Sequence, residues 1–116
     1  MAEPADWRIE EAENQSGFRD FNEWIKRFNQ RIGNHRPLHE YVCECSDASC
    51  RQSIEVSDEE YDLIRSHGAR FAIALDHENP EIDVVMSAGD RFATIEKLPG
   101  WAATLAIKTD PRRSRV

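Results

Sequence analysis

Cys43, Cys45 and Cys50 fall within eight consecutive positions, and the chain has no other cysteine. An odd number of thiols cannot all pair internally. In a reducing compartment, clustered cysteines bind metal or perform redox chemistry more readily than they form bridges. The start, Met1 to Asp6, is acidic and lacks an apolar stretch. No export signal is therefore expected, and the protein is read as cytoplasmic. No apolar run approaches the roughly 20 residues that a membrane span requires. Redox-active or inert thiols are the alternatives to metal binding.

The spacing favours metal. Pro37 biases the chain toward extended geometry, and Leu38–Glu44 reads as a strand. Side chains two apart on a strand share a face, so Cys43 and Cys45 can reach one ion. The polar turn Ser46–Ser49 would return Cys50 from the next strand, Arg51–Val56. Zn2+ takes four ligands in a tetrahedron, usually thiolate or imidazole, and this hairpin offers three. An iron–sulfur centre would normally take a fourth cysteine, which is absent. His77 follows the apolar stretch Phe71–Leu75, and strand ends commonly carry sites, so His77 is favoured as fourth ligand. His39, four positions before Cys43, is the alternative. His35 and His67 read as surface residues. Asp47, in the turn, is expected to cap its own backbone rather than ligate.

The other 108 of the 116 residues supply one domain's worth of core. Residues 1–16 read as a flexible lead-in, 17–108 as a single zinc-binding domain, and 109–116 as a basic flexible tail. A helix is expected from Ser16-Gly17 to Ile32, stopped by Gly33-Asn34. Phe18, Phe21, Ile25, Phe28 and Ile32 fall within an arc of about 80°, and Trp24 widens it to about 120°. That stripe is expected to face the core, with Arg19, Glu23, Lys26, Arg27 and Gln30 in solvent. Ser57-Asp58-Glu59-Glu60 is a capping box opening a second helix to Ser66, with Gly68 suited to a left-handed cap. Phe71–Leu75 and Arg91–Lys97 read as strands. Asn79-Pro80-Glu81 suggests a short helix through Met86, although Ile82, Val84 and Val85 are strand-like. Trp101–Ile107 closes the domain as a short helix. The expected fold is α+β: a small, mostly antiparallel sheet, an N-terminal amphipathic helix, a second capped helix and a zinc-stabilised hairpin.

Three segments resemble a group of small, mainly actinobacterial proteins of unknown function. These are Tyr41 to Cys50, Ile54 to Tyr61, and Arg70 to Ile73 with the following His77-Glu78. The group shows an F-x-C-E-C-x4-C hairpin, an E-Y-x-x-V-R helix matched here by Glu60, Tyr61 and Arg65 with Ile64 replacing the valine, and an F-x-V-x-x-G-H-E strand end. Phe18-Arg19 and Asn22-Glu23 resemble its upstream helix. Asp76 stands where the group has glycine. The resemblance implies that Cys43, Cys45, Cys50 and His77 form one zinc site, and it implies no reaction.

Three thiolates and an imidazole would saturate zinc and leave no place for water, the arrangement of a structural site. His77-Glu78 lacks the second histidine of H-E-x-x-H, and the deaminase, phosphate-loop and nucleophile-elbow patterns are missing. The reading therefore leans away from an enzyme, a zinc-dependent hydrolase included. A net charge of −7, from 22 acidic and 15 basic side chains, argues against nucleic acid as a partner. What remains is a regulatory or protein-interaction module, with Trp24 the candidate contact. A redox-sensing zinc–thiolate regulator is the alternative.

Overall fold

The computed structural model describes residues 6–113. Helix α1 spans Asp6–Ile32, followed by strands β1 (His39–Val42) and β2 (Ser53–Val56) and helix α2 (Asp58–Arg65). Strands β3 (Arg70–Ile73), β4 (Asp83–Ala88) and β5 (Ala93–Lys97) precede the last helix, α3 (Trp101–Lys108). The fold is α+β with antiparallel sheets. β1 and β2 form one hairpin, with His39 opposite Val56 and Val42 opposite Ser53. β5 lies between β3 and β4, and β4 carries an irregularity between Val85 and Ser87. Beyond β1 the chain crosses over: the Cys43 amide still bonds Gln52 in the hairpin, but the Glu44 amide donates to Ala72 of β3. The core, with Tyr41, Val56, Tyr61, Phe71, Ile73 and Ile95 fully buried, gathers around this crossing.

The capping box forms as expected: the Ser57 side chain accepts from the Glu60 amide while Glu60 accepts from the Ser57 amide. Gly33 ends α1 at φ 71°, in the left-handed region. Gly68 does not take that region. Its value is space, because a Cβ there would sit 3.2 Å from the Asp110 carboxylate and 3.3 Å from Ile107.

The segment expected to be helical through Met86 is a strand. Asn79 and Pro80 build a turn, in which the Asn79 carbonyl accepts from the Ile82 and Asp83 amides. The β-branched residues beyond it then pair with β5. The N-terminal boundary also moves. Helix α1 begins at Asp6, so residues 6–16 belong to the domain rather than to a lead-in; residues 1–5 lie outside the described range. Ala12, Gln15 and Ser16 are buried, Arg8 pairs with Glu81 at 2.7 Å, and Asn79 donates to Glu11. These contacts carry the helix through Gly17. At the other end, Asp110 pairs with Arg65, and Arg112 with Glu23 and Asp62, so the tail is fastened at least to Arg112; residues 114–116 lie outside the described range.

The largest departure concerns which face of α1 is inside. Phe21, Trp24, Phe28 and Ile32 are 44–57% exposed, while Gln15, Arg19 and Asn22 are completely buried and Glu23 and Lys26 nearly so. Hydropathy alone gives the opposite orientation. The polar face wins because nearly every group on it meets a partner that would otherwise be orphaned. The Asn22 side chain accepts from the Val42 amide and donates to the Val42 carbonyl, both at 2.8 Å, pairing with β1 as a neighbouring strand would. The Arg19 guanidinium donates to the carbonyls of Gly68 and Ala106, each at 2.8 Å, and lies 4.5 Å over the Phe71 ring. Gln15 accepts from the buried Lys97, which is also paired with Asp83 at 2.7 Å. Glu23 meets Arg65 and Arg112, and Lys26 meets Asp62.

This inversion predicts a reversed hydrophobicity response, measurable by urea unfolding of dilute protein. Asn22→Leu, though more apolar, strands both backbone groups of Val42 and should cost about 2–4 kcal/mol. Phe28→Ser, on the outer face, should cost under about 1 kcal/mol.

Candidate metal centre

The site is built at the crossing of the two sheets. Cys43 and Cys45 leave the end of β1, and Cys50 follows the turn that closes the hairpin. That turn is held by the Cys50 amide on the Asp47 carbonyl at 3.0 Å. The Asp47 carboxylate accepts from the Ser49 amide and hydroxyl at 2.9 and 2.7 Å, so it serves its own backbone. His77 arrives from the turn after β3, closed by its amide on the Ala74 carbonyl at 3.2 Å. The third residue of this turn is Asp76, at φ 67°. A residue there must enter the left-handed region, which glycine does freely and Asp tolerates better than most.

The four expected ligand atoms converge. The thiol sulfurs of Cys43, Cys45 and Cys50 and a ring nitrogen of His77 all lie within 4.8 Å of one another. His77 Nδ1 is 3.6 Å from Cys43 Sγ and 3.7 Å from Cys50 Sγ. A tetrahedron with metal–sulfur bonds of about 2.3 Å and a metal–nitrogen bond of about 2.05 Å has S···N edges of about 3.6 Å. The residues therefore fit a metal ion. Cys43 and Cys45 are buried, and Cys50 and His77 partly so.

The surroundings treat the sulfurs as acceptors. Cys43 Sγ accepts from the Ala74 amide at 3.1 Å, and the backbone N–H groups of Asp47 and Gln52 favour the thiolate forms of Cys45 and Cys50. Without a cation the three thiols compete. The hydrogen bond from Cys43 draws Cys45 down, the same contact and burial push Cys43 up, and burial raises Cys50. A bound cation resolves that competition by stabilising every thiolate at once.

His39, the alternative ligand, stands elsewhere. Its ring is buried and bonds Asp58 at 2.9 Å through Nδ1, while Nε2 has no partner among the described residues. His67 is exposed and lies 3.4 Å from Glu96, and His35 is exposed.

The residue beneath the site that sequence reasoning missed is Glu44. It lies between two ligating positions, is completely buried, and accepts from three directions. Asn22 Nδ2 is 2.8 Å away, the Tyr61 hydroxyl 2.7 Å and the Ala72 amide 2.9 Å. Burial pushes its carboxyl up, and these donors oppose that. The signal available in the sequence was a carboxylate between two thiols in a segment read as extended, where alternation sends it away from the thiols. The strand expected over Leu38–Glu44 ends at Val42, and Glu44 is held instead by the bond of its own amide to Ala72. No protein family, curated protein or solved structure matches the chain.

The turn at Asp76 yields a test by thermal unfolding of metal-loaded protein. Asp76→Gly should be neutral or stabilising by up to about 1 kcal/mol. Asp76→Val should cost about 1–2 kcal/mol, because a β-branched residue resists positive φ.

Proposed function

We propose that the chain is a small zinc-stabilised domain acting as a regulatory or protein-interaction module. The observation that carries the metal half is the convergence of three sulfurs and one imidazole nitrogen within 4.8 Å of one another, with two of the sulfur–nitrogen edges at 3.6 and 3.7 Å. Zinc is the ion that suits this donor set, since thiolate-rich tetrahedral sites select it over magnesium, calcium or manganese. Cys43, Cys45, Cys50 and His77 would fill all four positions. An ion held so contributes folding energy and offers no bound water for hydrolysis. The four ligands come from β1's end, the hairpin turn and the turn after β3, so the ion would fasten one sheet to the other. Support for the interaction half comes from α1, whose outer face presents large apolar side chains that the domain's core does not use. Among the described residues no helix is long and apolar enough to cross a membrane.

A redox-responsive zinc–thiolate regulator is the second reading, favoured by the partial exposure of Cys50. Peroxide could reach that sulfur first. Oxidation of two thiolates to a disulfide, with peroxide reduced to water, would remove two ligands and release the ion.

Elemental analysis of reduced, tag-free protein should find one zinc per chain. Cys50→Ser and His77→Ala should each lose it together with the folded-state circular dichroism, whereas His39→Gln should keep it. A strong chelator should unfold the wild type. A folded wild type without metal would overturn the zinc reading. Full zinc retention in His77→Ala would overturn the ligand set.

A further inference from the structure

We propose that the outer face of α1 is a self-association surface, on which two copies of this chain pair antiparallel about a two-fold axis near Asp20 and Phe21. This deepens the interaction half of the reading above and is independent of the metal half.

The outer face is continuous. Diametrically opposite the buried side, the helix presents Glu10, Glu13, Gly17, Phe21, Trp24, Phe28 and Arg31, spaced three and four apart, all exposed. Its aromatic part is organised before any partner arrives. Trp24 stacks on Phe21 at 6.0 Å and on Phe28 at 5.3 Å, and the two aromatic rings and the indole remain about half exposed. Three large apolar side chains already held side by side lose little further freedom on docking.

Charge on this face selects the partner. Glu10 and Glu13 lie in its first half and Arg31 in its second, with Arg27 and Asp20 exposed along one flank. Asp20, beside the axis, is the like-charge contact of this register, set against Glu–Arg contacts on both sides of it. Among the described residues neither these two glutamates nor these two arginines make an ion pair or a side-chain hydrogen bond within the subunit. A parallel pair of helices would set like charges together. An antiparallel pair places Glu10 and Glu13 of each copy against Arg31 and Arg27 of the other, twice by symmetry.

Shape agrees with the same register. Opposite Trp24 the antiparallel pairing brings Gly17 of the other copy. Gly17 is exposed, and a Cβ built on it meets nothing within 4 Å. Beside it lies a cavity of about 340 Å³ bounded by Glu13, Asn14, Phe18 and Ala48. A glycine in mid-helix costs the monomer about 1 kcal/mol relative to alanine, and the room it leaves is where an indole from the second copy would sit. Charge and shape thus place the axis at the same point independently.

Sedimentation velocity of zinc-loaded, full-length protein over a concentration series tests this. The wild type should pass from monomer to dimer as concentration rises. Trp24→Glu should weaken the dimer about 100-fold with zinc content unchanged. Gly17→Leu should raise the monomer's unfolding midpoint, through better helix propensity, and yet weaken the dimer, a combination that a purely structural glycine would not give. Glu13→Arg or Arg27→Glu alone should each weaken it about tenfold. The double variant, with both charges exchanged, should recover the wild-type dimer, since an antiparallel homodimer keeps its complementarity when both signs are swapped. Val84→Lys, on β4, should leave association unchanged. A single monomeric species at the highest attainable concentration overturns the proposal while leaving the metal site standing, as the same samples' zinc content would show. A double variant weaker than either single one overturns the antiparallel register.

Discussion

The Glu44 carboxylate is held at the centre of the molecule by a side chain of α1, a side chain of α2 and a backbone amide of β3. The two residues flanking it are Cys43 and Cys45. One stretch of chain therefore offers sulfur to a metal while its intervening carboxylate accepts from three other elements. An ionised carboxylate in an apolar interior is expensive, and burial alone would drive it to the neutral form. Three converging donors, with Arg65 contributing its charge, make the position tolerable. The arrangement also fixes where the two cysteines stand, because Glu44 can accept those three bonds only if the segment holds its place between α1 and β3.

The same demand explains α1. A helix that packed its aromatic stripe inward would cover apolar core well enough, but it would leave Val42, the Glu44 carboxylate and the Gly68 and Ala106 carbonyls without the donors that Asn22 and Arg19 supply. The domain is small, and its interior is rich in strand edges and helix ends with unspent hydrogen-bonding groups. A polar face whose members are matched one by one is then the better filling, and the apolar face is released for use outside. Solvent-exposed aromatic residues on a long helix are not a stabilising feature of an isolated chain, and the proposed self-association would give them a use.

Much of the metal site was legible in the sequence because it depends on local geometry. The Cys-x-Cys alternation, the polar turn before Cys50 and the strand leading to His77 are short-range features. The capping box at Ser57 and the stop at Gly33 are equally local, and both formed as read. What was not legible depends on partners distant in sequence. The inward face of α1 is decided by residues 20 to 90 positions away, and no periodicity reports that Asn22 will meet Val42 or that Arg19 will meet Ala106. The segment after Pro80 carried both a helix start and strand residues, and pairing with β5 decided it. The backbone at Asp76 was not legible either: the departure from glycine there left the turn before His77 undefined, and the structure places Asp76 at φ 67°.

The central claim is that Cys43, Cys45, Cys50 and His77 enclose a single ion completely. Metal K-edge X-ray absorption on the purified, zinc-loaded protein measures that most directly. Three sulfur neighbours at about 2.3 Å and one nitrogen at about 2.0–2.1 Å, with no bound water, is the predicted result. An oxygen in the coordination sphere, or fewer than three sulfurs, would contradict the account.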